Sequence, residues 1–319
     1  MGLEMHRKMA VLFAGQGQQF EGMGRDLAAA DSRVALLYRQ ASDLLGYDLL
    51  GLDANQLKNT EFTQPALLTL SQGLWEILKD YGFAPTAVTG LSLGEYNALV
   101  ACGVLGFSSC LELVQKRAKL MAGAMPEGAS GMAAVLRVEA GEVVAMLSKF
   151  DGQVAVCNWN TRDQVVIGGL KAPLAEACEL LKKECGAKVL PLSVSTVSHM
   201  SLLAEAGQAL KKVLEGMDYR VPTMDFYSNV DGAVRTEDFV DSLTRQISHT
   251  THMYQTICGI LDSGVTVFVE IGPKGALSGM VRSIAKTLGC SEALTVVNIF
   301  DVPSLESALS VLGSLTEEI

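Results

Sequence analysis

A chain of 319 residues that is 49% hydrophobic and only 19% charged can bury one sizeable core, or a large domain with a smaller one attached. Its formal charge of -10 argues against a general nucleic-acid binder, whose phosphate contacts need clustered Lys and Arg. The longest uncharged run, 96–111, is broken by Asn97, Gly103 and Gly106 and falls short of the roughly 20 apolar residues a membrane span requires, so no membrane association is expected.

Taken in chain order, an apolar strand ends at Ala14 and runs into a Gly/Gln loop, Gly15-Gln16-Gly17-Gln18-Gln19. Helices are predicted over 22–45 and 65–80, then a strand over 87–91, and then helices over 93–102 and 109–124. From Met132 the pattern becomes strand 132–138, helix 140–149, strands 153–158 and 164–169, helix 171–185 and strand 187–194. That βαββαβ order predicts a ferredoxin-like unit that closes on itself. Helix 200–215, strand 224–228, helices 237–248 and 251–262, strand 265–271, helix 275–288, strand 295–299 and a last helix follow. Alternation of strands and helices resumes there, so the small domain, 129–198, is expected as an insertion into a large α/β domain made of 1–128 and 199–319.

Residues 1–9 carry His6, Arg7 and Lys8, but the apolar stretch behind them is about six residues long with no small-residue cleavage pattern, so no signal peptide is expected. Seven cysteines (102, 110, 157, 178, 185, 258 and 290) form no CxxC pair and no metal-ligand spacing with histidine. Reduced thiols in the cytoplasm and no metal are the simple reading. The first glycine loop lacks the third glycine of a dinucleotide fingerprint, Phe standing at position 20, and Gly272-Pro273-Lys274-Gly275 is no phosphate loop, so no nucleotide cofactor is expected.

The segment Gly90-Leu91-Ser92-Leu93-Gly94 fits G-x-S-x-G, in which glycines permit a strained strand-to-helix turn that exposes a serine hydroxyl. An ordinary tight turn is the alternative. A serine nucleophile needs a base, and the chain has four histidines: His6 near the terminus, His249 and His252 three apart without a third metal ligand, and His199 in Ser195-Thr196-Val197-Ser198-His199 after a predicted strand. His199 reads as the base, or else as a surface residue in a first helical turn. Arg117 shares its helix face with Cys110, Leu113, Val114, Leu120 and Met121, so its guanidinium needs an anionic partner. That partner is either a carboxylate of the protein or the carboxylate of a substrate, held in bidentate fashion.

These residues resemble the malonyl-CoA:acyl-carrier-protein transacylases and the acyltransferase domains of polyketide synthases. The resemblance runs from about Met9 to Ser283. It rests on Phe13-Ala14-Gly15-Gln16-Gly17, Thr63-Gln64-Pro65-Ala66-Leu67-Leu68, Ser92-Leu93-Gly94-Glu95-Tyr96, Arg117 with Met121, Met125-Pro126-Glu127-Gly128, Gln164-Val165-Val166-Ile167, Ser198-His199, Arg245-Gln246 and Glu270-Ile271-Gly272-Pro273. It implies an α/β-hydrolase-like large domain with a parallel sheet, and ping-pong transfer of a malonyl group from malonyl-CoA to the phosphopantetheine thiol of an acyl carrier protein, without a cofactor. It further implies Ser92 as nucleophile, His199 as base oriented by the main-chain carbonyl of Gln246, an oxyanion hole from the N–H groups of Gln16 and Leu93, and Arg117 on the malonyl carboxylate. The resemblance also implies Gln64, Leu91, Met121 and Asn160 as the remaining substrate contacts.

The sequence departs from that pattern twice. The family usually has His before the nucleophile, where Leu91 stands, and its Asn-Pro-Val-x-Trp is replaced by Ser248-His249-Thr250-Thr251-His252. Leu91 puts acyl selectivity and hydrolysis of the seryl ester in question; the second change alters the wall near Gln246. A free-standing polyketide acyltransferase is a close variant of the same reading. An α/β hydrolase and a non-catalytic docking protein are rivals of another class, and the inserted domain and Arg117 count against the first.

Overall fold

The apolar run that opens the chain forms the middle strand of a five-stranded parallel sheet. In a computed structural model, which describes residues 7–194 and 196–317, strand β1 (Lys8–Phe13) has every residue but the first buried. Met9, Val11 and Phe13 face the main core, while Ala10 and Leu12 face a second cluster on the opposite side of the sheet. Burial on both faces is why the strand reads as a continuous apolar run without alternation. His6 and Ser195 lie outside the described residues.

Helices α1 (Arg25–Ala30) and α2 (Ser32–Leu45) follow, where one helix was expected. The break falls at Asp31, whose extended backbone and side chain, accepting from the Arg33 N–H, start a new helix. Helix α3 (Thr60–Asp80) begins five residues before the Pro65 that marked its expected start, because Asn59 caps it by accepting from the Glu61 N–H. Strand β2 (Ala87–Gly90) leads through the serine turn into α4 (Gly94–Ala101), and α5 (Phe107–Ala122) packs beside α3.

The chain then builds a second sheet from β3 (Ser130–Leu136), β4 (Val154–Thr161), β5 (Gln164–Leu170) and β6 (Lys188–Pro191), with α6 (Ala140–Leu147) and α7 (Lys171–Cys185) between them. Its order is β4-β5-β3-β6 with all neighbours antiparallel, the arrangement of a split βαβ unit. One face, including Val135, Val165 and Ile167, packs on Val143, Leu174 and Leu181 of the two helices. The other face presents Met132, Cys157 and Val166 to the main core, so the two sheets share buried surface.

After β6 come α8 (Ala204–Leu214), β7 (Asp225–Phe226), α9 (Phe239–Ser248), α10 (Met253–Asp262), β8 (Val265–Ile271), α11 (Ala276–Leu288), β9 (Thr295–Ile299) and α12 (Val302–Glu317). The large sheet has the order β7-β2-β1-β8-β9, all parallel. Chain order runs outward from β1 in both directions, and the carboxyl ends of β1, β2 and β8 therefore meet at the switch point where α/β sheets gather ligands. Three expected elements are shorter than their apolar patterns. Strand 187–194 pairs only over 188–191, strand 224–228 only over 225–226, and helix 200–215 opens as a 3-10 turn at 201–203 because Met200 is extended and His199 has a φ of 61°. Among the described residues no helix is long and apolar enough to cross a membrane.

Candidate active site

The serine turn is dictated by packing against β1. The Leu91 N–H donates to the Phe13 carbonyl at 3.0 Å, and the chain then reverses through Ser92 at φ 54°. A Cβ on Gly90 would sit 2.0 Å from the Gly94 carbonyl carbon, and one on Gly94 would sit 2.0 Å from the Phe13 oxygen. Both neighbours are backbone and cannot rotate away, so glycine is required on each side of the serine. A non-glycine residue held in the left-handed region costs on the order of 1 to 3 kcal/mol, which the surrounding sheet and helix sustain.

His199 comes from a different part of the chain, on the segment leaving the small sheet. Its main-chain N–H donates to the Ile247 carbonyl at 2.9 Å, which ties that segment to the end of α9. The imidazole is buried, with Nε2 2.8 Å from Ser92 Oγ and Nδ1 2.6 Å from the Gln246 carbonyl oxygen. Gln246 lies in the last turn of α9, where carbonyls lack intrahelical partners and are free to accept. With Nδ1–H donating to that carbonyl, the lone pair of Nε2 faces the serine hydroxyl. Burial, with Arg117 adding to it, holds the His199 pKa down to about 4, although the Gln246 carbonyl pulls the other way. The ring is neutral at neutral pH and able to take a proton.

Arg117, on α5, is 1% exposed and has no ion pair with a carboxylate among the described residues. Its Nη1 donates to Gln64 Oε1 at 2.7 Å, and its Nη2 to Ser92 Oγ at 3.1 Å and Gln246 Oε1 at 2.9 Å. The guanidinium carbon stands 5.1 Å from the centre of the Tyr96 ring. Of the two partners expected for it, a protein carboxylate in direct contact is therefore absent. Burial lowers its pKa, against the pull of Tyr96 and Glu95.

Gln64 Nε2 donates to Thr60 Oγ1 at 2.9 Å and lies 3.7 Å from Met121 Sδ, while Thr60 Oγ1 donates to Gln16 Oε1 at 2.6 Å. The structure thus brings Ser92, His199, Gln246, Arg117, Gln64, Met121 and Gln16 into one connected cluster. Leu93 follows the serine at the start of α4, and neither its N–H nor that of Gln16 has a protein acceptor among the described residues.

Two expected contacts have no side-chain hydrogen bond to that cluster among the described residues. The Leu91 side chain packs with the cluster on the far face of the sheet, beside Gly15. Asn160 is buried on β4, and its Oδ1 has no protein partner. The segment that replaces Asn-Pro-Val-x-Trp bridges to that same strand: Trp159 N–H donates to the Thr251 carbonyl at 2.7 Å and Asn158 Nδ2 to Thr251 Oγ1 at 2.7 Å. His249 is exposed, and half-buried His252 lies against the Trp159 ring.

In the sequence Glu95 stands out only as part of Ser92-Leu93-Gly94-Glu95-Tyr96, with no role of its own. The structure buries it completely in the first turn of α4, where it accepts from Gln246 Nε2 and, at 3.3 Å, from the Asn229 N–H. A glutamate in a first helical turn is ordinary on a surface, so the sequence carried no signal of its burial. Asn229, which also donates to the Gly90 carbonyl, carried none.

The model of the acyl transferase domain matches residues 11–302 of the chain. The chain belongs to that acyl transferase family. It is 36% identical over 313 residues to the malonyl CoA-acyl carrier protein transacylase of Haemophilus influenzae, covering 95% of this chain and 99% of the relative. The solved structure of the malonyl CoA-acyl carrier protein transacylase of Clostridium perfringens superposes with a TM-score of 0.90 at 35% identity, over 97% of this chain and 98% of the other. A malonyl-transacylase solved in complex with a type II polyketide acyl-carrier protein is also similar, with a TM-score of 0.89 at 35% identity over 95% and 99% of the two chains. The acyl transferase family therefore accounts for both sheets, and the parallel sheet with a separate antiparallel one agrees with the fold class read from the sequence.

Proposed function

We propose that this acyl transferase moves a malonyl group from malonyl-CoA to the phosphopantetheine thiol of an acyl carrier protein through an ester on Ser92. The observation that carries the reading is Arg117: a buried guanidinium with no carboxylate in contact among the described residues, 3.1 Å from the serine oxygen, is suited to an acyl group that ends in a carboxylate.

The Ser92 oxygen attacks the thioester carbonyl as its proton passes to His199 Nε2. The oxyanion so formed takes hydrogen bonds from the N–H groups of Gln16 and Leu93, a donor of this kind contributing on the order of 3 kcal/mol. The C–S bond breaks and the proton returns from His199 to the departing CoA sulfur, leaving malonyl-Ser92. The carrier thiol then gives its proton to His199 and attacks the ester, and the proton goes back to the Ser92 oxygen as the C–O bond breaks. Gln64 and Met121 flank Arg117. Residues 129–198 are assigned as the inserted domain between 1–128 and 199–319, since all four strands of the antiparallel sheet fall inside them. Seven free cysteines support a cytoplasmic, reducing location.

The test is incubation with malonyl-CoA followed by mass analysis. A malonyl increment on the peptide holding Ser92, discharged by holo carrier protein, is expected, with acetyl-CoA labelling far less; equal labelling by both would remove the role given to Arg117. Parallel arms with fatty-acid carrier protein, polyketide carrier domains and water separate the malonyl transferase from the polyketide variant and from a hydrolase.

Added salt tests docking of the acidic carrier in the same assay. Lys182 and Lys183 are paired with Glu179 and Glu184, whereas Lys274, Arg282 and Lys286 are exposed and form no close ion pair with a carboxylate among the described residues. Transfer to carrier protein is expected to weaken as ionic strength rises, and more weakly in a Lys274→Ala/Arg282→Ala variant. Transfer that ignores salt would count against this patch.

His199 sets the acid limit of the chemistry. A base held at about 4 keeps its neutral form down to pH 5, so acylation at saturating malonyl-CoA should stay nearly flat from pH 8 to 5 and halve near 4. Single-turnover acylation measured against pH checks this, and a limb near the ordinary 6.5 would contradict it.

A further inference from the structure

Glu95 is a fully buried carboxylate that the transfer chemistry above does not use. Both of its oxygens are addressed by N–H donors: Oε1 by the Asn229 main chain at 3.3 Å and Oε2 by Gln246 Nε2. The Gln246 amide stands between this carboxylate and Arg117. Its nitrogen faces Glu95 and the Ser92 carbonyl, the latter at 3.0 Å, and its oxygen receives Arg117 Nη2 at 2.9 Å. An amide flipped by half a turn would set its NH2 against the guanidinium and its oxygen against the carboxylate, which is unfavourable on both sides.

We propose that Glu95 is a positioning residue for acyl selectivity: its carboxylate locks the Gln246 amide with Oε1 toward Arg117, and so holds the guanidinium where the donor's carboxylate docks. The proposal rests on the reading of Arg117 given above. Interposing an amide has a chemical advantage over a direct ion pair. The amide takes a single Nη2 hydrogen where a directly paired carboxylate would take two, so Nε, which has no protein acceptor among the described residues, stays available to a substrate carboxylate, and the negative charge of Glu95 offsets part of the cost of a buried cation.

A glutamine at position 95 cannot do the same work. Whichever way its amide points, one NH2 meets a donor, either the Asn229 N–H or the Gln246 NH2. Protonation weakens the lock in a similar way, because a neutral carboxyl turns one acceptor oxygen into a donor. Burial pushes the Glu95 pKa up to about 7, against the hydrogen bonds from Ser228, Gln246 and Asn229 and the pull of Arg235. The other charged or titratable groups around the network are Arg117 from α5, Tyr96 beside Glu95 on α4 with its ring against that guanidinium, His199 at the serine, and Asp231, which pairs with Arg235.

The experiment measures kcat and KM for malonyl-CoA from pH 5.5 to 8.5 in the wild type, Glu95→Gln and Arg117→Ala, with thermal unfolding of each. In the wild type KM should rise as the pH falls through about 7. Glu95→Gln should raise KM roughly ten- to hundredfold at pH 8 with a much smaller change in kcat, and the gap from wild type should close toward pH 5.5. A Glu95→Gln variant whose KM follows the wild type at every pH, or whose KM and kcat change by the same factor throughout, would overturn the proposal. Should that variant fail to fold, the wild-type profile decides, since a KM that is flat or falls toward low pH is equally fatal. If Arg117→Ala leaves malonyl KM and selectivity unchanged, the reading of Arg117 itself has failed; if it changes both while Glu95→Gln does not, only the role of Glu95 is lost.

Discussion

Ser92→Ala is expected to lower malonyl transfer by on the order of 10⁴-fold or more while leaving the fold intact. The hydroxyl accepts from Arg117 Nη2 and faces His199 Nε2, and it supports no backbone element. Alanine adopts the left-handed φ of 54° no more easily than serine and no less, so the strain of the turn is unchanged. Arg117 keeps its bonds to Gln64 and Gln246. The thermal midpoint should therefore stay close to that of the wild type, and malonyl-CoA should leave no covalent increment. A variant that still transferred malonyl at a tenth of the normal rate would exclude a seryl ester and require direct attack of the carrier thiol on malonyl-CoA. Measurement of initial rates with intact-mass analysis separates the two outcomes.

Arg117→Ala should separate substrates instead of abolishing the chemistry. Removing one partner of a buried charged contact typically costs about 3 to 5 kcal/mol. For malonyl-CoA that corresponds to a loss in kcat/KM of roughly 100- to 4,000-fold, at about 1.4 kcal/mol per factor of ten. Acetyl-CoA has no carboxylate to lose, so its kcat/KM should fall far less, or rise as the charge is removed from the pocket. Arg117→Lys is expected to be poor as well: an ammonium cannot reach Gln64 and Gln246 together in the flat geometry of the guanidinium, despite keeping the charge. Equal losses for both donors, accompanied by a lower unfolding temperature, would make Arg117 a residue of the core and return selectivity to an open question. The kcat/KM ratio for the two donors is the deciding number.

Much of the fold was legible because burial leaves a period in the sequence. Strands β5, β8 and β9 and helix α7 lie where the apolar patterns placed them, to within a residue. The βαββαβ order of the middle segment is the order observed in the antiparallel sheet. The misplaced ends have local causes that hydropathy does not register: the Asp31 and Asn59 caps divide or lengthen helices, and the left-handed His199 delays α8.

The candidate site was legible in part. Ser92 stood out through its two glycines, whose necessity is a matter of a few backbone atoms near Phe13, and His199 through the scarcity of histidines. Arg117 was visible as a charge on an apolar helix face, but its own residues left open whether a protein carboxylate met it. Glu95 was hidden, because a glutamate in a first helical turn is ordinary on a surface and becomes informative only when shown to be buried.

By itself the sequence determined the two kinds of sheet, the turn that exposes Ser92 and the residue types available for acyl transfer, since periodicity and glycine sterics act over a few neighbours. Only the tertiary structure decided that the Gln246 side chain connects Arg117 to Glu95, that Arg117 has no carboxylate in contact among the described residues, and that Leu91 packs across the sheet from it. Those are relations between residues up to 151 positions apart, and the partner of a buried polar group is settled by which elements pack together, not by what lies beside it in the chain.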